Sequence, residues 1–95
     1  GAINDDIMDL EALASLLLVR LAASYPDALE KRYRMTELSA IQTDGFAMLE
    51  LLGRKRGMLI SGGEVNTERA AITLLDEFRS GKLGRITLEF PEQER

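Results

Sequence analysis

Few residue types in this chain can carry out catalysis or bind a metal. The 95 residues include no Cys and no His. Their absence removes disulfides, thiolate nucleophiles, and the most common metal ligand and general base. A serine has no usual activating partner without His. We therefore predict no catalytic residue, no metal ligand and no bound cofactor in this chain.

Two glycine-rich segments are candidates for phosphate loops, Ser61-Gly62-Gly63-Glu64 and Gly81-Lys82-Leu83-Gly84. A Walker loop needs two glycines with four residues between them, followed by Lys and Ser or Thr, and neither segment has this pattern. Tight turns in which glycine takes a positive φ are the ordinary interpretation. A backbone contact with RNA or protein is the alternative.

Acidic residues cluster near the N-terminus, at Asp5, Asp6, Asp9 and Glu11. A metal or acid–base site is one interpretation of such a cluster. Helix capping by Asn4-Asp5-Asp6 and a favourable interaction with the helix dipole explain the cluster sufficiently. We predict the structural role.

The basic residues are the main functional candidates, although the net charge is −4. Residues 1–50 carry 4 Lys or Arg against 9 Asp or Glu, whereas residues 51–88 carry 7 against 4. Five of those seven cations group at two predicted helix ends flanked by glycine, Arg54-Lys55-Arg56 at one and Lys82 with Arg85 at the other. Interaction with a helix C-terminal dipole is the structural explanation for Arg54-Lys55-Arg56, but three consecutive cations cannot all face one dipole. We predict a shared phosphate-contacting surface. Such a surface would recognise the phosphate backbone and the shape of a nucleic acid rather than its bases, because this region lacks aromatic side chains on which bases could stack.

Hydrophobic periodicity predicts the elements that position these residues. A first helix, from the Asn4-Asp5-Asp6 cap to about Ser24-Tyr25, precedes a short helix from Pro26 to Tyr33, with Pro26 as its first residue. Asp27 with Lys31 and Glu30 with Arg34 have the spacing of exposed ion pairs. In residues 36–43, Thr36 is a possible cap for one further helical turn.

Two more helices are predicted in the second half. One follows Thr43-Asp44-Gly45 and ends at Arg54-Lys55-Arg56 with a left-handed Gly57. The other follows an Asn66 cap and ends at Ser80-Gly81. Ile86, Leu88 and Phe90 then alternate with polar residues, which predicts an extended tail lying across the bundle or bound to another domain.

The prediction is one all-α domain over residues 1–95, a small bundle of about four to five helices with an extended C-terminal tail. Hydrophobic residues make up 45% of the chain and aromatic residues 5%, so the core is aliphatic. No apolar run has the length of a membrane span and no signal peptide is recognised, so we expect a monomeric, cytoplasmic protein. The predicted core residues are Leu13, Leu17, Leu21, Leu49, Leu74 and Phe78.

Several short segments in both halves of the chain form recognisable motifs. In the first half these are Gly1-Ala2-Ile3-Asn4-Asp5-Asp6-Ile7, Asp9-Leu10-Glu11, Tyr25-Pro26 and Arg32-Tyr33. In the second half they are Gly53-Arg54-Lys55-Arg56-Gly57, Ser61-Gly62-Gly63-Glu64-Val65, Arg69-Ala70-Ala71 and the stretch from Phe78 to Glu89. Together these segments resemble the C-terminal domain of the YlqF/RbgA family of circularly permuted GTPases. The second group is the more specific, because its order and spacing match together. No motif is recognised in residues 34–45.

The resemblance implies a helical domain similar to the RNA-binding ANTAR fold, following a GTPase domain in a protein that acts in late maturation of the large ribosomal subunit. Its implied partners are large-subunit rRNA, the immature large subunit and its own GTPase domain. The motifs of that GTPase domain, which would bind GTP and magnesium, are absent from this sequence. We therefore expect no enzymatic activity from this chain. By this likeness, with the residues chosen by charge and position, the rRNA contacts are assigned to Arg54, Lys55, Arg56, Arg69, Lys82 and Arg85.

A second hypothesis is a protein-interaction domain that docks on the adjoining GTPase domain and regulates it. In that hypothesis, Ile86–Phe90 acts as an apolar latch.

Overall fold

Four α-helices form the part of the chain that the computed structural model describes, namely the backbone of residues 2–87 and the side chains of residues 9–87. The helices are α1 (Ala2–Ser24), α2 (Pro26–Tyr33), α3 (Gly45–Lys55) and α4 (Thr67–Arg79). The predicted all-α bundle is therefore confirmed. Residues 36–38 have no regular secondary structure and residues 39–43 form turns, so the additional helical turn predicted there is not present within the described chain.

Helix α1 is the centre of the bundle, because α2, α3 and α4 all pack against it and α3 also packs against α4. Four of the six predicted core residues are buried: Leu17, Leu21, Leu49 and Leu74. Leu13 was predicted wrongly, since it is 51% exposed. The buried stripe of α1 passes through Ala14, Leu17, Leu18, Leu21 and Ala22, so it is displaced by one residue from Leu13. Phe78 is only partly buried against the core.

The ends of the helices follow the sequence signals in most cases. Asp44 and Asn66 are N-caps, whose side chains accept hydrogen bonds from the backbone N–H of Ala47 and Arg69, each at 3.0 Å. Gly57 follows α3 with a φ of 70°. The predicted cap at Asn4-Asp5-Asp6 is wrong, because α1 already begins at Ala2 and these residues lie within its first turns.

Two glycines permit close packing between helices. A Cβ atom at Gly45 would stand 2.3 Å from the carbonyl oxygen of Ser15 in α1, and one at Gly53 would stand 2.5 Å from Cγ1 of Val65. At Gly45 a Cβ atom would meet backbone, so α1 and α3 would have to move apart, whereas at Gly53 the side chain of Val65 would have to shift. Gly53 therefore has a packing role that outweighs its low helix propensity.

The loop from Met58 to Val65 is a short hairpin. Its ends are joined by hydrogen bonds from Ile60 N–H to Glu64 O at 2.8 Å and from Asn66 N–H to Met58 O at 2.7 Å. At its tip, Gly62 and Gly63 have φ angles of 91° and 85°. The interpretation of these glycines as turn residues is thereby confirmed.

The start of the predicted tail lies against the bundle. Ile86 packs on the core, and the hydroxyl of Tyr25 donates to the carbonyl of Thr87 at 3.2 Å and accepts from its N–H at 3.3 Å. Leu88, Phe90 and the rest of the predicted extended segment lie outside the described residues.

The two ion pairs predicted on α2 are not formed among the described side chains, where the salt bridges are Arg32–Glu77, Lys55–Glu37 and Arg56–Glu77. One reason is that Arg34 leaves the helix with a left-handed φ of 61°, which removes it from helical spacing. Within the described chain, no single helix is long and apolar enough to cross a membrane. Only α1 and α2 together, bent by 113°, reach that length and composition.

Candidate functional site

A buried carboxylate on α4 connects three elements near the predicted basic surface. Glu77 is only 8% exposed. Its Oε1 accepts hydrogen bonds from Nε of Arg32 at 3.1 Å, from the hydroxyl of Tyr33 at 2.8 Å and from Nη2 of Arg56 at 3.1 Å. The guanidinium of Arg56 also lies 5.0 Å from the centre of the Tyr33 ring. Glu77 thus joins α2, the end of α3 and α4.

The surroundings of Glu77 favour its charged form. Burial alone would raise the pKa of this carboxyl, but the hydrogen bonds from Arg32 and Tyr33 and the charges of Arg56 and Arg32 outweigh burial and lower the pKa to about 2. Burial and the bond to Glu77 raise the pKa of Tyr33 above its usual range. One negative charge is therefore held between two positive charges at neutral pH.

The two basic helix ends predicted from the sequence meet at Glu77. Arg56, the residue after α3, binds its carboxylate. Lys82, just beyond α4, donates its backbone N–H to the carbonyl of the same residue at 2.9 Å. The structure therefore brings the ends of α3 and α4 together, with Arg56 bound inside the domain and the side chain of Lys82 not engaged by Glu77.

Arg54 and Arg69 are next in sequence to a second contact between α3 and α4. Both are exposed. They neighbour Gly53 and Ala70, which pack closely enough that a Cβ atom at Gly53 would stand 3.4 Å from that of Ala70. From Arg69 to Arg79, α4 rises about 15 Å at 1.5 Å per residue. Arg69 is thus separated from the cations that follow α4.

Lys55 has a different neighbour. Its Nζ lies 3.1 Å from Oε2 of Glu37, in the connection between α2 and α3. The hydrogen bond from Lys55 lowers the pKa of Glu37. The pair is exposed to solvent, and such pairs contribute little to stability.

The segment from Lys82 to Thr87 runs along α2. Lys82 and Gly84 line a cleft with Lys31 and Arg32, near the end of α2, whereas Thr87 binds Tyr25 just before its beginning. The exposed Lys82 therefore shares a face with Lys31 and Arg32 of α2, and Arg85 is exposed on the same segment.

Sequence reasoning missed three residues of this region: Lys31, Arg32 and Glu77. The first two were considered only as members of surface ion pairs or of a motif. Glu77 carried a usable signal, because it lies three residues after Leu74 and seven after Ala70, on the buried face of α4. A charged residue on a buried helical face indicates a paired partner.

Of the acidic cluster near the N-terminus, the structure describes the side chains of Asp9 and Glu11, and Glu11 makes a structural contact. Oε2 of Glu11 accepts a hydrogen bond from the hydroxyl of Thr67 at 2.8 Å, which ties α1 to the start of α4. Among the described residues, no group of three or more acidic side chains is arranged to bind a metal ion.

Comparison with known proteins finds similar proteins that are named ribosome biogenesis GTPase A. The chain is 36% identical over 93 residues to ribosome biogenesis GTPase A of Bacillus cereus, 37% identical over 92 residues to that of Bacillus pumilus, and 33% identical over 93 residues to that of Priestia megaterium. These matches cover 97–98% of this chain. The resemblance recognised from the motifs is thereby confirmed.

The chain spans only about one third of those relatives, at 30% to 32% of their length. No family model matches it.

Proposed function

We propose, from its confirmed resemblance to the ribosome biogenesis GTPase A family, that this domain contacts rRNA of the immature large ribosomal subunit. In this proposal, it serves a cytoplasmic GTPase that acts in late assembly of that subunit. The similarity along 98% of the chain to proteins of that name carries the proposal. The sequence has no GTPase motif of its own, so we assign binding of GTP and magnesium to a separate domain.

The exposed cations supply the contacts in this proposal. Arg54 and Arg69 form one group, Lys82 and Arg85 a second, and Lys55 exchanges Glu37 for a phosphate. Arg56 has a positioning role, because its guanidinium is already bound to Glu77 and stacked on Tyr33. The surface recognises phosphates rather than bases, since Phe46, an exposed aromatic side chain, lies at the start of α3, away from the cations at the end of that helix.

Salt dependence of RNA binding tests the proposal. With three to five phosphates neutralised, log K should fall against log salt with a slope of roughly −2 to −4.5. The paired variants Arg54→Gln/Arg69→Gln and Lys82→Gln/Arg85→Gln should each weaken binding to large-subunit rRNA and flatten the slope by about one to two. Lys55→Gln is the comparison, with a smaller effect because binding separates Lys55 from Glu37. Unchanged binding in both double variants would refute the proposal.

Docking on an adjoining GTPase domain is the second candidate function. Leu13 and Leu16, one turn apart on α1, are 51% and 41% exposed, and exposed apolar pairs of this kind suit a protein contact. The tail is less suited to act as a latch than the sequence suggested, because Ile86 already packs on its own core. Leu13→Ser/Leu16→Ser should weaken association with the GTPase domain added as a separate chain, and unchanged association would exclude this face.

A further inference from the structure

An open cleft lies between α2 and the segment that follows α4. Its volume is about 380 Å³. Three of its six lining residues are cationic and none is acidic. The lining residues are Ala28, Lys31, Arg32, Lys82, Leu83 and Gly84. Sequence reasoning selected only Lys82 from this set, so the cleft depends on a meeting of α2 and α4 that the fold creates.

Glu77 fixes one of the three cations in place. It binds Nε of Arg32, while the two terminal nitrogens of that guanidinium have no hydrogen bond within the described part of the chain. A guanidinium held along one edge loses little conformational freedom when it binds an anion through the other nitrogens. The charge of Glu77 does not oppose such an anion strongly, because Arg32 and Arg56 both offset it.

The two lysines complete the positive field. Neither Lys31 nor Lys82 belongs to a salt bridge among the described side chains, and both are exposed. They approach from two elements, which surround an anion better than neighbours on one helix. The remaining walls are Ala28, Leu83 and Gly84, which offer no side-chain group that could read a base.

We propose that this cleft is a phosphate-binding site, in which the ammonium groups of Lys31 and Lys82 and the terminal nitrogens of Arg32 bind the oxygens of one phosphate group. The inference that the cleft binds phosphate depends only on its lining residues. Its use as an anchor for the RNA backbone rests on the proposed function. The ligand is a phosphate of any source, either in a polynucleotide backbone or in a small phosphorylated compound.

Pyrophosphate titration of the 95-residue chain, followed by backbone amide NMR at constant ionic strength, tests the site. The amides of Lys31, Arg32, Leu83 and Gly84 should shift together and saturate. Lys31→Gln/Lys82→Gln should weaken this binding by about tenfold or more, as expected from the loss of two charge-assisted contacts. The matched control, Arg54→Gln/Arg69→Gln, removes the same charge elsewhere and should leave the pyrophosphate affinity measured at the cleft amides within about twofold, because salt screens distant exposed charges. Circular dichroism verifies that both variants stay folded.

An RNA arm separates this proposal from the proposed function. If the parent chain binds pyrophosphate in the cleft but no rRNA, the cleft stands with small phosphorylated compounds as its ligands, and the proposed function fails. If the chain binds rRNA but shows no saturable shifts at the cleft, the cleft proposal is overturned and the proposed function stands. Equal loss of pyrophosphate binding in both double variants would also overturn the cleft proposal, because it would indicate a diffuse charge effect.

Discussion

Replacing Glu77 by Gln should destabilise the domain in a way that depends on pH. The amide keeps the size of the carboxylate and an oxygen that can accept from Tyr33, but it loses the charge that binds Arg32 and Arg56. The glutamate pKa falls from 4.5 to about 2 in the folded state. This difference is equivalent to at most about 3 kcal/mol at neutral pH, at 1.36 kcal/mol per pKa unit. The arginine side chains are 35% and 30% exposed, so screening reduces the effect to about 2 kcal/mol.

The direction of the pH dependence follows from the lowered pKa. A carboxyl whose pKa is depressed by folding stabilises the folded state above its unfolded pKa, near 4.5, and loses this contribution as the pH falls towards 2. The difference between parent and Glu77→Gln should therefore be about 2 kcal/mol at pH 7 and less than about half of that at pH 3.

Urea unfolding followed by circular dichroism at several pH values between 3 and 7 measures this difference. Glu50→Gln on α3 is the control, because Glu50 is exposed and has no salt bridge among the described side chains. Its effect should stay within about 0.5 kcal/mol at every pH. An equal loss of stability at pH 3 and pH 7 in Glu77→Gln would refute the charge argument and leave packing as the cause.

Three further predictions concern packing and activity. Leu17→Ala should cost about 2–5 kcal/mol because Leu17 is buried, while Leu13→Ala should cost less than about 1 kcal/mol, and equal costs in urea unfolding would contradict the assigned face of α1. Gly45→Ala should destabilise by about 1–3 kcal/mol through its approach to Ser15, although helix propensity alone favours Ala by about 1 kcal/mol, so a gain in stability would disprove the close contact. Calorimetry with GTP and magnesium should show no affinity beyond that for pyrophosphate, because the chain has no phosphate loop to bind a nucleotide specifically, and micromolar affinity for GTP alone would contradict this.

Local signals in the sequence were sufficient to predict the presence of the four helices. Pro26, Asp44 and Asn66 begin helices because their backbone or side-chain chemistry satisfies the first turn, and this chemistry depends on neighbours in the chain. The exposure of Leu13, in contrast, could not be predicted from neighbouring residues in the sequence. Both Leu13 and Ala14 fit an apolar stripe, and in the fold Ala14 is buried while Leu13 is exposed. Which of the two faces the core depends on how α2, α3 and α4 pack on α1.

The candidate site was less accessible from the sequence, because its cations are distributed over elements that meet only in the folded chain. The sequence grouped Arg54, Lys55 and Arg56 by adjacency, yet the fold gives them three different surroundings. Arg56 binds Glu77, Lys55 binds Glu37, and Arg54 is exposed. Arg32 and Lys82, fifty residues apart, meet in one cleft. Charge along the chain thus indicated the region but not the neighbours within it.

A net charge of −4 does not oppose a polyanionic partner for this domain. Salt screens exposed charges beyond about 8–10 Å at physiological ionic strength, so a phosphate responds to the charges around it rather than to their sum over the chain. At the cleft, Glu77 is buried and offset by two arginines, while Lys31 and Lys82 remain at the surface. The same carboxylate that holds Arg32 in place therefore subtracts little from the local positive field. A chain with a negative net charge can in this way expose a locally positive surface, because the acid nearest to these cations is buried and paired with arginines.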